Sequence, residues 1–397
     1  MVFKKILLVG WSFYPKVGGV ETVMLQHAKF LLSKGIEVAI LTANIDGQKN
    51  DDNVRGIKVF RRTFINSGEE KSDSEIESGL NDVLKIFRPD LIQFHNGCYP
   101  AGSSSMESGS NNVIKMFNIF KSLKVPVLDY AHNAQLKDPE ATQRLRNLAW
   151  DGIIFVSKYV QCSWEKLGFN SSRRFQIYNG VMVGKFSQSR LSEEIEKIKS
   201  PGQRVILFPS RIFKVSTGKY SEQKNFHLVL EACSLLKGRN ENFTLVAILD
   251  VEKQSETNLA NLRDKITRLS LGGFVHFVPS ASSEKMPEYY KSSDIICIPS
   301  VNEAFSLSYL EGMAARRVVI GSSTGGTVEL IQNGKNGILI DPRDSQELSE
   351  ALDKLISDDK YFDRLSSAGF ETAREFNVES KNKELFEVYH QCLSKIN

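Results

Sequence analysis

The sequence predicts an α/β protein of two doubly wound domains, each built on a parallel sheet. Three observations carry this. Strand and helix patterns alternate through residues 5–178, a polar stretch S-Q-S-R-L-S-E-E-I-E-K-I-K-S-P-G interrupts them, and a second alternation opens at Val205. With 397 residues the chain has room for two or three domains with their own cores. The expected organisation is a first domain over 1–188, a linker over 189–203, a second domain over 204–376 and a terminal helix over 377–397.

In the first half, Lys5–Val9 reads as a buried strand. It leads through W-S-F-Y-P-K-V-G-G-V-E into a helix over Thr22–Ser33, with Val23, Ala28, Leu31 and Leu32 at helical spacing. A glycine-bearing loop between strand and helix lets backbone approach a ligand at a helix N-terminus, although Gly18-Gly19 alone also reads as a tight turn. Strands follow at Glu37–Thr42 and Ile57–Phe60, a helix at Glu75–Phe87 and a strand at Asp90–Phe94. H-N-G-C-Y-P-A-G-S-S-S then reads as a flexible loop at a strand's C-terminal edge, where open α/β sheets bind ligands. Pro126–Tyr130, Ile153–Val156 and Phe175–Tyr178 complete the set of strands.

In the second half, strands are predicted at Val205–Phe208, Phe243–Leu249, Phe274–Val278, Asp294–Ile298, Val318–Gly321 and Gly337–Ile340. Helices are predicted at Phe226–Leu236, Asn258–Leu269 and Glu284–Tyr290. D-S-Q-E opens another in a capping-box pattern at Asp344 and Glu347, and Glu379–Lys395 forms the last after a break near Asn377.

The stretch P-S-V-N-E-A-F-S-L-S-Y-L-E-G-M-A-A, Pro299–Ala315, is the most informative. A loop follows the apolar run and opens a helix with Phe305, Leu307, Leu310 and Met313 at helical spacing. Glu303 and Glu311 stand eight positions apart, roughly 12 Å if the segment is mostly helical. Paired acids of glycoside hydrolases sit about 5 to 9.5 Å apart. The spacing suits clamps at the two ends of an elongated ligand whose phosphates meet the helix N-terminus between them. On their own, the two acids also read as a helix cap and a solvated helix acid.

Composition narrows the classes. Hydrophobic and charged contents of 41% and 25% are ordinary for a soluble globular protein, and the net charge of +4 suits an anionic ligand without demanding nucleic acid. Five scattered cysteines without metal-ligand or C-x-x-C spacing imply reduced thiols and a cytosolic compartment. The first apolar run is too short for a signal-peptide core, and no stretch approaches membrane length. There is no G-x-G-x-x-G, P-loop, D-x-D or H-E-x-x-H motif, so no metal is expected.

The Glu303–Glu311 stretch resembles the E-x(7)-E signature of the retaining transferases of glycosyltransferase family 4, and further matches extend along nearly the whole chain. The resemblance implies the GT-B fold: two Rossmann-like domains facing across a cleft, the first binding acceptor, the second binding nucleotide-sugar, and the terminal helix crossing back onto the first. It implies that Glu303 holds sugar hydroxyls and Glu311 the ribose. Ala304-Phe305-Ser306-Leu307 stands where G-F-G-L is usual and would line the donor. Gly18 and Gly19 would reach the donor phosphates and help place the acceptor. His132, in D-Y-A-H-N, resembles the T-x-H-[DN] histidine that touches the transferred sugar, and also reads as a structural side chain. His95, in Q-F-H-N, matches a common position and reads as structural. Arg211, in F-P-S-R, and a following lysine would grip the diphosphate. Lys224, in E-Q-K-N-F-H, is the best match, with Lys214 and Lys219 as alternatives because an insertion at 214–222 separates it from Arg211. Thr324-Gly325-Gly326-Thr327 with Glu329 matches G-G-x-x-E, and Asn179-Gly180-Val181 resembles N-G-V-D, with Met182 in place of the acid.

These features imply a metal-independent, retaining transfer of a hexosyl unit from a nucleoside-diphosphate sugar, commonly a uridine one among relatives, to an acceptor hydroxyl. No cofactor is expected; the nucleotide-sugar is a substrate. The rivals are a GT-B phosphorylase or nucleotide-sugar epimerase, and an inactive transferase-like binding subunit. Acceptor choice is expected in the loops Asn44–Arg62 and Gly97–Asn112. Arg55, Lys58, Arg61 and Arg62 read as a solvated basic face or a contact to an anionic lipid-linked acceptor at the membrane surface.

Overall fold

A computed structural model describes residues 3–16, 18–44, 48–65, 69–97, 106–134, 139–169, 173–212, 223–249, 256–279 and 284–394. It holds two compact units, Met1–Asn179 with Glu379–Asn397, and Gly180–Val378.

The first unit carries strands β1 (Lys5–Val9), β2 (Glu37–Ala43), β3 (Asp51–Val54), β4 (Ile57–Arg62), β5 (Leu91–His95), β6 (Val127–Ala131), β7 (Gly152–Phe155) and β8 (Arg174–Gln176). They form one sheet in the order β3-β4-β2-β1-β5-β6-β7-β8. Every neighbouring pair is parallel except β3–β4. The central strands β1, β5 and β6 are buried along nearly their whole length because helices cover both faces of a doubly wound sheet. The helices are α1 (Gly19–Ser33), α2 (Asp73–Ile86), α3 (Met106–Ser122), α4 (Pro139–Arg146) and α5 (Lys158–Glu165).

Two segments expected as loops are structured. Within 44–62, β3 and β4 make an antiparallel hairpin whose two-residue turn, Arg55-Gly56, has φ of 56° and 84°, the left-handed pair that matches strand twist. Its outer strand, D-D-N-V, is exposed and polar, so no alternation marks it. The second half of 97–112 lies in α3, whose buried Val113, Met116, Phe117 and Phe120 follow helical spacing. The four basic residues do not form one solvated face. Arg61 is 1% exposed, and its guanidinium donates to the Tyr14 carbonyl at 2.8 Å and to Asp52 at 3.1 Å, tying the hairpin to the loop after β1. Arg62 pairs with Asp51 at 2.9 Å.

The second unit carries β9 (Arg204–Ile212), β10 (Phe243–Leu249), β11 (Val275–Pro279), β12 (Ile295–Ile298), β13 (Val318–Ser322) and β14 (Ile338–Ile340). The sheet is wholly parallel, in the order β11-β10-β9-β12-β13-β14. Its helices are α6 (Val183–Ser187), α7 (Glu193–Ile198), α8 (Phe226–Lys237), α9 (Glu256–Arg268), α10 (Met286–Ser292), α11 (Leu307–Ala314), α12 (Ser345–Ser357) and α13 (Asp359–Glu375). The polar stretch read as a linker thus contains α7, capped by Ser192 and anchored by buried Ile195. Helix α13, absent from the sequence reading, buries Phe362, Leu365, Gly369 and Ala373. The capping box at α12 is half-formed: Asp344 accepts from Gln346 N and Glu347 N, but Glu347 turns to Asp341 N at 2.7 Å.

The chain breaks at Phe376–Asn377 and ends in α14 (Val378–Leu393). Its outer turns pack on the first unit, with the Phe386 ring 5.3 Å from that of Phe3. In each sheet the strand order reverses once, between β1 and β5 in the first and between β9 and β12 in the second. Ligands of open α/β sheets bind outside the strand C-termini at such reversals.

Candidate functional site

At the reversal in the second unit, β9 ends past Arg211 and β12 runs into the loop that carries Glu303. Arg211 therefore lies on the last turn of backbone before the sheet's C-terminal edge; its side chain is outside the described residues, as are Lys214 and Lys219. Lys224 lies in the turn before α8, and its ammonium meets Glu303 Oε2 at 2.5 Å. Glu303 is 8% exposed. A carboxylate this buried needs a compensating partner, and the charge-assisted bond to Lys224 supplies one.

Backbone fixes both partners. Val301 N donates to Gln223 O at 2.8 Å, joining the Glu303 loop to the Lys224 turn. The Tyr309 hydroxyl donates to Ile298 O at 2.6 Å, and Ser322 Oγ to Ser300 O, which pins the start of the loop. Asn225 and Asn302, adjacent to Lys224 and Glu303, hold φ of 58° and 57°. Asparagine tolerates this left-handed region better than most residues, and such positions gather at functional sites. Gly326 N donates to Glu303 O at 2.7 Å. Gly325 has φ of 71°, and a Cβ there would stand 2.4 Å from Glu303 O.

Helix α11 starts at Leu307, so Phe305 precedes the helix instead of forming its first turn. Ala304, Phe305 and Ser306 make the connection, and Ser306 caps without a side-chain bond to the helix. The rise of 1.5 Å per residue therefore holds only for the second half of the Glu303–Glu311 interval. The first-turn N–H groups of α11 have no intrahelical partner and point their dipole outward, as a diphosphate requires. Half-buried Glu311 lies on the same helix and accepts from the Tyr290 hydroxyl; burial raises its carboxyl above the ordinary range, and the Tyr290 bond opposes that rise.

At the reversal in the first unit, the loops after β1, β5 and β6 interlock. Trp11 Nε1 donates to Asn96 O at 2.8 Å, His132 N donates to Asn96 Oδ1 at 2.7 Å, and Gly97 N donates to Asp129 Oδ1 at 2.7 Å. His132 Nε2 and His95 Nδ1 are 3.0 Å apart. Burial pushes His132 down to about 3, and it drives His95 well below its ordinary value. His27 is likewise pushed to about 3 by burial. All three imidazoles are neutral at physiological pH. Gly18 is the N-cap of α1 and Gly19 its first residue. The backbone at Gly18 is extended (φ −152°), and a Cβ there would meet only the far end of the Glu21 side chain, Oε2 at 2.5 Å. Glu21 is buried and bonded to Ser12 Oγ, a loop-fixing contact that the sequence reading missed although the acid is part of the G-G-V-E run.

Sequence reasoning also missed Tyr290 and the two left-handed asparagines; tyrosine in a helix gives no signal of its partner, and only the N-E and K-N pairs hinted at the turns. Among the described residues, no group of three or more His, Cys, Asp or Glu is placed to hold a metal ion, and no helix is long and apolar enough to cross a membrane.

Residues 17–184 match the family model described as Glycosyltransferase Family 4, and residues 193–372 match that of Glycosyl transferases group 1. An uncharacterized glycosyltransferase of Methanocaldococcus jannaschii is 25% identical over 97% of this chain and 94% of its own. A D-inositol 3-phosphate glycosyltransferase of Corynebacterium urealyticum is 27% identical over 94% and 90%. Among solved structures, a glycosyltransferase from Rickettsia africae superposes with a TM-score of 0.77 at 20% identity, covering 98% of both chains. Anabaena HepE in complex with UDP-glucose gives 0.75 at 19%, covering 98% of this chain and 99% of that one. At these identities the structural matches establish a shared fold.

Two substitutions test the site's architecture. Gly334 has the same φ as Gly325, 71°, but no backbone near its Cβ position. Gly334→Ala should cost about 1–2 kcal/mol from conformation alone. Gly325→Ala should cost about 2 kcal/mol more, because the Glu303 backbone must move. Urea unfolding of the two variants measures the gap, and equal losses would contradict the packing described. For Glu311, the folded carboxyl holds its proton more tightly than the unfolded one. The resulting stability is present below the ordinary value of 4.5 and is lost as pH rises through the raised value. Glu311→Gln should therefore melt above the parent at pH 7, and the difference should vanish below pH 4.5. A variant that melts below the parent at pH 7 would contradict this.

Proposed function

Given that the chain belongs to glycosyltransferase family 4 and has the GT-B fold, we propose that it moves a hexosyl unit from a nucleoside-diphosphate sugar to an acceptor hydroxyl with retention of configuration. The observation that carries this reading is the Lys224–Glu303 pair at the strand reversal of the second unit. It sets a cation and a sugar-binding carboxylate side by side at the carboxyl edge of β9 and β12. A relative crystallised with UDP-glucose supports a uridine donor.

The chemistry assigns each group a task. When donor enters, the diphosphate offers Lys224 a stronger partner than Glu303, and Glu303 is released to accept from sugar hydroxyls. Arg211 and the N–H groups at Leu307 share the diphosphate charge, and Glu311 accepts from the ribose. As the bond between C1 and the phosphate oxygen breaks, negative charge grows on the leaving diphosphate, and preorganised cations stabilise it there. The acceptor oxygen attacks on the face from which the phosphate departs. Its O–H bond breaks, a leaving-phosphate oxygen takes the proton, and the new C1–O bond forms. The family role of His132 is a contact to the transferred sugar, and that of Gly18-Gly19 is an approach to phosphate and acceptor. This scheme uses no metal: Arg211, Lys224 and the helix dipole do a cation's work.

Two measurements test it. In a thermal-shift screen of nucleoside-diphosphate sugars, the donor should raise the melting point, since it binds only the native state. With that donor, Glu303→Ala and Arg211→Ala should each lose about a hundredfold or more in kcat while remaining folded, and parent turnover should survive a chelator. Full turnover in either folded variant would refute the assignment.

A further inference from the structure

Four buried side chains of the first unit form one hydrogen-bonded line that ends at His132. The Tyr389 hydroxyl on α14 meets Gln93 Oε1 at 2.7 Å. Gln93 Nε2 meets His95 Nε2 at 2.9 Å, and His95 Nδ1 meets His132 Nε2 at 3.0 Å. Tyr389 and Gln93 are fully buried, His95 is 1% exposed and His132 8%. Water therefore has little access to the inner links.

Proton counting gives the line a direction. A carbonyl oxygen only accepts, so the Tyr389 hydroxyl must donate to Gln93 Oε1. An amide nitrogen only donates, so His95 Nε2 must be bare. His95 and His132 are both neutral, because burial disfavours their charged forms. A neutral imidazole bare at Nε2 carries its proton on Nδ1, and His95 donates that proton to His132 Nε2. His132 is then bare at Nε2 and protonated at Nδ1.

We propose that Tyr389 and Gln93 are positioning residues that hold His132 as an Nδ1–H donor, so that a hydroxyl of the transferred sugar meets a donor and not an acceptor. The sugar contact rests on the family role given to His132 above; the tautomer does not. The proposal also gives the C-terminal helix a task beyond packing, since it supplies the phenol that orients the amide.

The test reads the tautomer directly. In the full chain labelled with 15N-histidine, long-range proton–nitrogen correlation separates protonated from bare ring nitrogens, and His132→Gln identifies the His132 signals. In the parent, His95 and His132 should both be protonated at Nδ1. Gln93→Glu replaces the donor with a carboxylate that only accepts, so both rings should switch to Nε2–H. Tyr389→Phe, nearly isosteric, should leave the amide unanchored and give a mixture. With donor and acceptor, Gln93→Glu should lower kcat/KM about tenfold, the effect of one hydrogen bond. A parent His132 protonated at Nε2 would overturn the relay. Unchanged tautomers in folded Gln93→Glu would overturn it as well. Inverted tautomers with unchanged kcat/KM would overturn the sugar contact alone.

Discussion

A carboxylate held out of water must keep a partner, and that constraint organises the second unit. Glu303 is nearly buried, and the Lys224 ammonium is its counter-charge. Removing one member of such a pair leaves the other as an uncompensated charge, so the two are retained or lost together. The loop after β12, the turn before α8 and the 3₁₀ turn over Gly325–Glu329 are each bonded to the backbone at this point. The proposed donor would part the pair by giving each member another partner. A diphosphate joined to a sugar does so, with oxygens for the ammonium and hydroxyls for the carboxylate. Small anions satisfy only the first.

The fold puts these groups together through connectivity. Each sheet reverses its winding once, and the two strands beside the reversal send their following loops to opposite sides. The crevice left between them is where side chains from distant stretches of chain meet, such as Lys224 and Glu303, 79 positions apart. In the first unit the same topology gathers the loops that carry Trp11, Asn96 and His132. There the outcome is a set of neutral imidazoles rather than an ion pair, because among the described residues no formal counter-charge is bonded to them and burial removes the proton.

Much of this was legible in the sequence where the local signal and the tertiary role coincide. Strand Phe243–Leu249 falls where its apolar run puts it, and most central strands lie within one or two residues of their expected ends, whereas β9 runs four residues past Phe208 to Ile212. The Glu303 loop stood out through its residue types and spacing, and the Lys224 turn through the family resemblance, with Lys214 and Lys219 as alternatives. What was hidden falls into two kinds. The strand Asp51–Val54 is polar and exposed, held by its partner and a left-handed turn, so no periodicity announces it. Helix α3 does have a spaced apolar face, but its glycine- and serine-rich lead-in obscured it. Pairings over long separations were unreadable in principle. Nothing about Arg61 in isolation distinguishes a solvated cation from one buried against the Tyr14 carbonyl. Nothing in Tyr389 tells that its hydroxyl reaches Gln93, 296 positions earlier.

The proposed transfer depends on donor and protein exchanging partners at Glu303. Diffraction from crystals grown with an intact nucleoside-diphosphate sugar observes that exchange directly. The diphosphate should lie against the Leu307 end of α11 with the Lys224 ammonium moved onto it, and Glu303 should bond a sugar hydroxyl. A nucleotide bound elsewhere, with the Lys224–Glu303 contact unchanged, would contradict the account.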